Sequence, residues 1–596
     1  MAPGVRYRVS IPRPHSHLLE VEASFPPVDD VLTACLPVWT PGSYLVREFS
    51  RHLQELIATN AQGDLLPVKR IDKRTFQVPS HGKPVQLRYQ VYANELTVRT
   101  SHVDGTHAFL NGATLFLYSE PLRSAEHRVA VSAPPGWNTH SALRRDGDEL
   151  VASDYDELVD SPLEVTPRAA LEFQAAGVVH QVVVWGEAPC EDSRLTADLQ
   201  KVCETSAQMF GGVPLKGYLF LLYLTDKGRG GLEHRASTAL LYPRANLANS
   251  KGWEDFLTLA AHEYFHLWNV KRIRPRRLVP FDYSQENYTE LLWAFEGITS
   301  YYDNLLVRRA GLMSAQRFLI RLGESLSSLH QTPGRKVQSL AEASLTAWIK
   351  HYRPDENSPN SAISYYIKGE IVSVLLDLEI RRATGDQRSL DDVMRLLWNR
   401  YGNGVGVPED GFERAASEVA GVNLSPFFDQ WIRSTQELDY SGFSHVGLEV
   451  KFRIRESPSD KGGSPPRVKP GEVKPKGWLG VVIKGTSAIG YVLADSPAMQ
   501  AGIYADDEIV ALDGYRVDGP GLLARCEEKR PDETVRITLF RRDQLIEVPV
   551  QLGSKPADGV YLARVDNPSP AQRTSYSKWM QAPWDESDHD TRSASL

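Results

Sequence analysis

A helical run of mostly apolar residues, Trp253 to Val270, carries two histidines and a glutamate in its interior, and that combination restricts what the chain can fold into. Phe256, Leu257, Leu259, Ala260, Phe265 and Leu267 make the run apolar, so other elements must bury it. Buried polar groups are costly without partners, so His262, Glu263 and His266 need a reason to be there. At 100° per residue, His262 and His266 are offset by about 40°, so both rings project from one face, one turn apart. Two ligands of one metal ion need that separation. Glu263 can reach a water beside the metal without ligating the metal itself. Chance places HExxH in a chain of this length on the order of a few times in a hundred.

A catalytic zinc takes three protein ligands and keeps one position open. Glu286, Glu290 and Glu296 are the candidates for the third. Pro275 and Pro280 break the chain after the first helix and let it turn back. A second helical pattern spans Glu286 to Ala310. Glu296 lies between Phe295 and Ile298, near Trp293, Tyr301, Tyr302 and Leu305, where a carboxylate needs a cation. Gly297 costs about 1 kcal/mol relative to alanine in a helix interior, which predicts close approach of another element. Glu296 is therefore the expected third ligand. Glu290 reads as a solvated first-turn acid, and Asp303 as either an orienting group or a surface acid. One zinc ion per chain is the expectation.

The 596 residues are too many for one core. The fold class expected is multidomain α+β. Residues 1–175 alternate in strand fashion and predict a sandwich-like β-rich domain. Residues 176–455 predict a mainly helical catalytic domain, with helices at 193–210, 314–329 and 364–384, the last closed by Gly385. Residues 456–476, ESPSDKGGSPPRVKPGEVKPK, read as a linker. Residues 477–556 predict a compact β-rich module, and 557–596 a polar tail. Four scattered cysteines argue against a disulfide framework or thiolate metal site. A net charge of -8 argues against nucleic acid as a partner. The basic run Lys271 to Arg277 reads as a solvated loop. The N-terminus, MAPGVRYRVSI, lacks the apolar stretch of a secretion signal, and no apolar run reaches the roughly 18 residues of a membrane span. A cytoplasmic location without membrane association is expected. Oligomeric state is open.

These residues resemble a known group. HEYFHLWNVKRIRP followed by LLWAFEGITSYYD is similar to the glycyl aminopeptidase family of zinc metallopeptidases, which end in a PDZ domain, and Pro37 to His52 is similar to its N-terminal domain. The aminopeptidase N family is a more distant likeness of gluzincin type. The 29 residues between His266 and Glu296 exceed that second family's spacing. The resemblance implies further roles. Gly230-Gly231-Leu232-Glu233-His234 is similar to the exopeptidase motif GxMEN, whose glutamate binds the substrate's α-ammonium. His234 and Leu232 depart from it. Tyr366-Ile-Lys-Gly is similar to YxKG, whose tyrosine stabilises an oxyanion, with Tyr365 as the rival.

The expected activity is that of a zinc aminopeptidase acting on peptides with a free N-terminus, with Glu263 as general base. By resemblance alone, it removes small residues such as Gly or Ala. An endopeptidase whose PDZ domain selects protein substrates is the alternative. Leu479-Gly480-Val481 is similar to a PDZ carboxylate-binding loop, so a peptide or protein C-terminus is the expected partner there.

Overall fold

The computed structural model describes residues 4–467 and 475–586. They form two compact units. The first comprises Met1–Thr289, Tyr302–Leu312 and Met394–Glu409, and the second Glu290–Tyr301, Met313–Val393 and Asp410–Leu596.

In the first unit, the alternation of the N-terminal sequence becomes a two-faced sheet. Val5–Ser10 buries every other residue, and Leu18–Phe25 and Val85–Tyr92 do the same. These strands lie in an eight-stranded sheet in which Val5–Ser10 pairs parallel with His127–Ser132 and antiparallel with Leu18–Phe25. A three-stranded sheet containing Val31–Cys35 and Thr75–Pro79 shares its core, where Leu32, Ala34, Phe76 and Val78 join Val5, Val21 and Leu87. The expectation of a β-rich N-terminal domain matches this arrangement.

Val178–Trp185 pairs parallel with Gly217–Thr225 and antiparallel with Leu171–Ala175 in a separate five-stranded sheet. Ser237–Pro243 is the next parallel strand, and Gly230–Glu233 runs antiparallel at the edge. Helix Asp192–Phe210 packs with helix Ser250–Phe265, and the latter also packs with strands Gly230–Glu233 and Ser237–Pro243. Asn249 caps helix Ser250–Phe265 by accepting from Gly252 N at 2.8 Å.

The second unit is mainly helical at first. Its helices include Ala315–His330, capped by Ser314, and Ile367–Thr384, which ends at Gly385 in the left-handed region. The expected helix from Glu286 starts late. Residues 286–290 are not helical, and Trp293–Gly297 forms a π-helical turn that runs into helix Ile298–Arg309. Asn287 explains the delay: its side chain donates to Asp282 O at 2.8 Å and Gln285 O at 2.9 Å, and accepts from Asp282 N at 2.8 Å. Such side-chain bonds compete with a helix.

Residues 479–552 enclose their own apolar core, including Leu479, Ile489, Leu512, Leu522, Ile537 and Val550. Its strands include Val481–Lys484, Ala488–Val492, Glu508–Leu512, Thr534–Arg541 and Gln544–Gln551. Residues 456–467, expected as linker, are tied down: Arg453 grips Asp460, and Gly463 N donates to Val560 O at 2.8 Å. Residues 468–474 of that expected linker lie outside the described residues.

The expected polar tail also folds. Gly559–Arg564 pairs with Leu448–Arg453, and helix Pro570–Met580 buries Tyr576, Trp579 and Met580. Ser569 and Gln572 form a reciprocal capping box at that helix's start. Residues 587–596 are beyond the described part.

Candidate metal centre

The zinc-type motif falls on the last turn of helix Ser250–Phe265, as its apolar pattern predicts. The His262 and His266 rings have centroids 4.7 Å apart and are nearly perpendicular. Each ring is held through Nδ1: His262 donates to Asp303 Oδ2 at 3.0 Å, and His266 to Asn269 O at 2.7 Å. These bonds fix the tautomer in which Nε2 carries the lone pair, the form in which a histidine ligates a metal. Asp303 is therefore the orienting group and not a surface acid. The donor chemistry fits a zinc ion.

Glu263 faces the edge strand Gly230–Glu233. A Cβ on Gly231 would lie 2.0 Å from Glu263 Oε1, so only glycine leaves room for the carboxylate. Glu233 is also buried, and its Oε1 has no hydrogen-bond partner among the described residues. Carboxylate oxygens of Glu233 and Glu263 and a ring nitrogen of His266 lie within 4.8 Å of one another. Two buried acids so close repel unless a cation joins them. Gly42, with φ +89°, closes the other side of Glu233, where a Cβ would meet both carboxylate oxygens at 2.6 Å. Arg99 reaches towards Gly231 O at 3.5 Å.

His234, where the exopeptidase motif has asparagine, does separate work. Its Nδ1 lies 3.2 Å from Asp160 Oδ1, to which Lys271 Nζ donates at 2.7 Å. Burial raises the Asp160 carboxyl, but Lys271 and His234 outweigh it and hold it at about 2. Lys271 and Arg272 are buried, so the solvated-loop reading of this run fails at its first two residues. Arg272 donates from Nη1 to Arg235 O and Leu267 O.

In the second unit, Glu296 is 2% exposed and sits in the π-helical turn. Such turns often occur at functional sites. The close approach predicted at Gly297 is found: a Cβ there would lie 2.4 Å from Gly369 Cα. Gly369 belongs to the Tyr366-Ile-Lys-Gly segment at the start of helix Ile367–Thr384. Trp579 Nε1 donates to Tyr301 Oη at 2.9 Å, and Tyr301 donates to Asp377 at 2.6 Å, which braces the helix after Glu296. Tyr365 is fully buried and Tyr366 half-buried, with stacked rings 4.7 Å apart. His351 packs on both rings and senses the Glu296 charge; burial nevertheless lowers its pKa. His351, a lone histidine outside any motif, carries no signal in the sequence. Gly42 was legible only as part of the Pro37–His52 likeness. Glu286 and Glu290 lie outside any helix. Leu479 is buried, and Gly480 takes a left-handed φ of +81° at the start of strand Val481–Lys484.

Two domain families match the chain in order: the Peptidase M61 N-terminal domain over residues 6–167, and the M61 glycyl aminopeptidase over residues 255–372. A solved aminopeptidase N family protein from Idiomarina loihiensis is 32% identical, superposes with a TM-score of 0.89, and covers 97% of this chain and 100% of its own. The chain belongs to the M61 peptidase family. It is a metallopeptidase, a hydrolase of peptide bonds. An M1 zinc metallopeptidase from Deinococcus radiodurans is also matched, at 13% identity and TM-score 0.46, over 73% of this chain and 94% of its own. No curated protein matches the sequence. Among the described residues, no helix is long and apolar enough to cross a membrane.

Proposed function

We propose that this M61 peptidase is a zinc aminopeptidase, with His262, His266 and Glu296 as the ligands of one zinc ion. The Nδ1 anchoring of both histidines supports the first two assignments. For Glu296, the support is its burial and its place seven residues before Asp303, which puts it on the same helical face at a rise of about 10 Å. Zinc held there would polarise the scissile carbonyl and acidify the attacking water. Glu263 accepts the proton from that water and passes it to the leaving amine. Tyr366, the more accessible of the two tyrosines, donates a hydrogen bond where negative charge develops on the carbonyl oxygen.

The observation that carries the exopeptidase reading is the partnerless oxygen of buried Glu233 beside Glu263. An α-ammonium placed there would satisfy Glu233, relieve the repulsion between the two acids, and hold the chain end one residue from the scissile bond. Gly230 and Gly231 admit the peptide backbone closely. A preference for N-terminal Gly or Ala follows the family's description and is part of this proposal. Residues 477–556 are proposed as a PDZ domain, with Leu479, Gly480 and Val481 as the loop for a peptide C-terminus.

Matched peptides with free and N-acetylated termini provide the test. The free peptide should be cut at least about 100-fold faster, a difference typical of losing a charge-assisted contact. Equal cleavage would remove Glu233 from its role and favour an endopeptidase.

A further inference from the structure

The β-rich part of the first unit holds a second constellation of metal-ligand type, which shares no residue with the His262 centre. His102–Val103 and Ala108–Leu110 form a hairpin, with Ala108 opposite Val103 and Phe109 opposite His102. Asp104 N donates to His107 O at 3.0 Å and closes the turn around Gly105 and Thr106. The turn therefore brings His102, Asp104 and His107 together. One donor atom from each lies within 4.8 Å of the others.

The groups around the hairpin set these donors in place. Asp104 Oδ1 accepts from Thr106 N, Thr106 Oγ1 and His107 N, which leaves Oδ2 to face His102 Nε2 at 3.4 Å. His107 Nδ1 donates to Glu164 Oε1 at 2.9 Å, and Glu164 Oε2 accepts from Tyr223 Oη at 2.9 Å. A carboxylate on one ring nitrogen is the usual brace of a metal-bound histidine, because it fixes the tautomer and raises the basicity of the other nitrogen. That other nitrogen, His107 Nε2, is fully buried and has no hydrogen-bond partner among the described residues. A buried lone pair left unsatisfied is costly, and a bound cation would relieve that cost. His17 steadies the hairpin by donating from Nδ1 to Val103 O at 2.6 Å. The Trp185 ring stacks on His107 with centroids 4.3 Å apart.

We propose that His102, Asp104 and His107 bind a divalent metal ion of the zinc class, the two imidazoles and one carboxylate leaving a fourth position for water. Two nitrogens and one oxygen suit zinc and its borderline neighbours better than calcium or magnesium, which prefer all-oxygen sets. Asp104 is the most exposed of the three side chains and marks the entry path.

The role this placement implies is structural. Glu164 and Tyr223 tie the hairpin to strand Gly217–Thr225, and Trp185 ties it to strand Val178–Trp185. An ion here would pin the β-rich part to the five-stranded sheet.

The test uses the full chain, stripped with chelator, reloaded with zinc and assayed for bound metal. His102→Gln and Asp104→Ala should each lose about one zinc per chain relative to wild type while peptide turnover stays within about twofold, because the hydrolytic centre is untouched. In a His266→Ala background, zinc should still raise the thermal midpoint by several degrees, and adding Asp104→Ala should abolish that shift. Asp104 is partly exposed, so its substitution keeps the test valid if His102→Gln fails to fold. Unchanged zinc content in a folded Asp104→Ala chain would overturn the proposal. So would a His266→Ala chain whose midpoint zinc does not move. Because the readout is loss on substitution, failure of the His262 centre and failure of this one are told apart.

Discussion

Gly231 gives the sharpest prediction. Its absent Cβ is what lets Glu263 lie against the edge strand. In Gly231→Ala the new carbon would start 2.0 Å from Oε1, 2.2 Å from Cδ and 2.5 Å from Cγ of Glu263, whereas ordinary contact begins at 3.4 Å. The carboxylate must move by 3.4 − 2.0, about 1.4 Å. The obstruction is the far end of a flexible side chain, so the fold should tolerate the change. The chemistry should not: a misplacement of about 1 Å can cost about 100-fold in rate. That corresponds to about 2.7 kcal/mol of transition-state stabilisation. Steady-state kinetics on an alanyl or glycyl chromogenic amide, beside a thermal melt, would read both effects. The expected result is a loss of about 100-fold in kcat/KM, mainly in kcat, with a midpoint shift of a few degrees. A folded variant within about threefold of wild type would refute the reasoning, because Glu263 could not then be the base at this position.

Asp303→Ala removes the brace of His262 and should weaken zinc affinity by about 10–100-fold in a chelator competition, with wild-type affinity the contrary result. Gly297→Ala drives a Cβ to within 2.4 Å of Gly369 Cα, a backbone atom that cannot swing aside, so chemical denaturation should show a loss of about 1–3 kcal/mol. The depressed carboxyl of Asp160 gives stability that is present above its unfolded value near 3.8 and is lost as pH falls towards about 2. Acid unfolding of Asp160→Asn should therefore show a shallower limb in that window, and an unchanged limb would count against the Lys271 pairing.

Where the sequence was informative, local chemistry carried the information. The one-face spacing of His262 and His266, the Gly385 cap and the cost of Gly297 all act within a few residues, and each appears in the structure. The misreadings came from long-range effects or overlooked local cues. Lys271 looks solvated until Asp160, 111 residues away, is seen beside it. The chain after 557 looks polar because strand Gly559–Arg564 finds its partner at Leu448–Arg453, far back in the sequence. Its helix did leave a cue, the Ser569–Gln572 capping box ahead of Tyr576, Trp579 and Met580. Residues 286–290 defeat the helical pattern through the Asn287 side chain. His351 had no neighbour in sequence to give it meaning, because only the fold stacks it on Tyr365 and Tyr366.

Glu263→Gln tests the central claim most directly, since it keeps the shape of the side chain and removes its ability to take a proton. Zinc content should remain at the wild-type level while peptide turnover falls by about 10²–10⁴-fold, the usual contribution of a general base. Turnover that persists in the zinc-loaded variant would contradict the account.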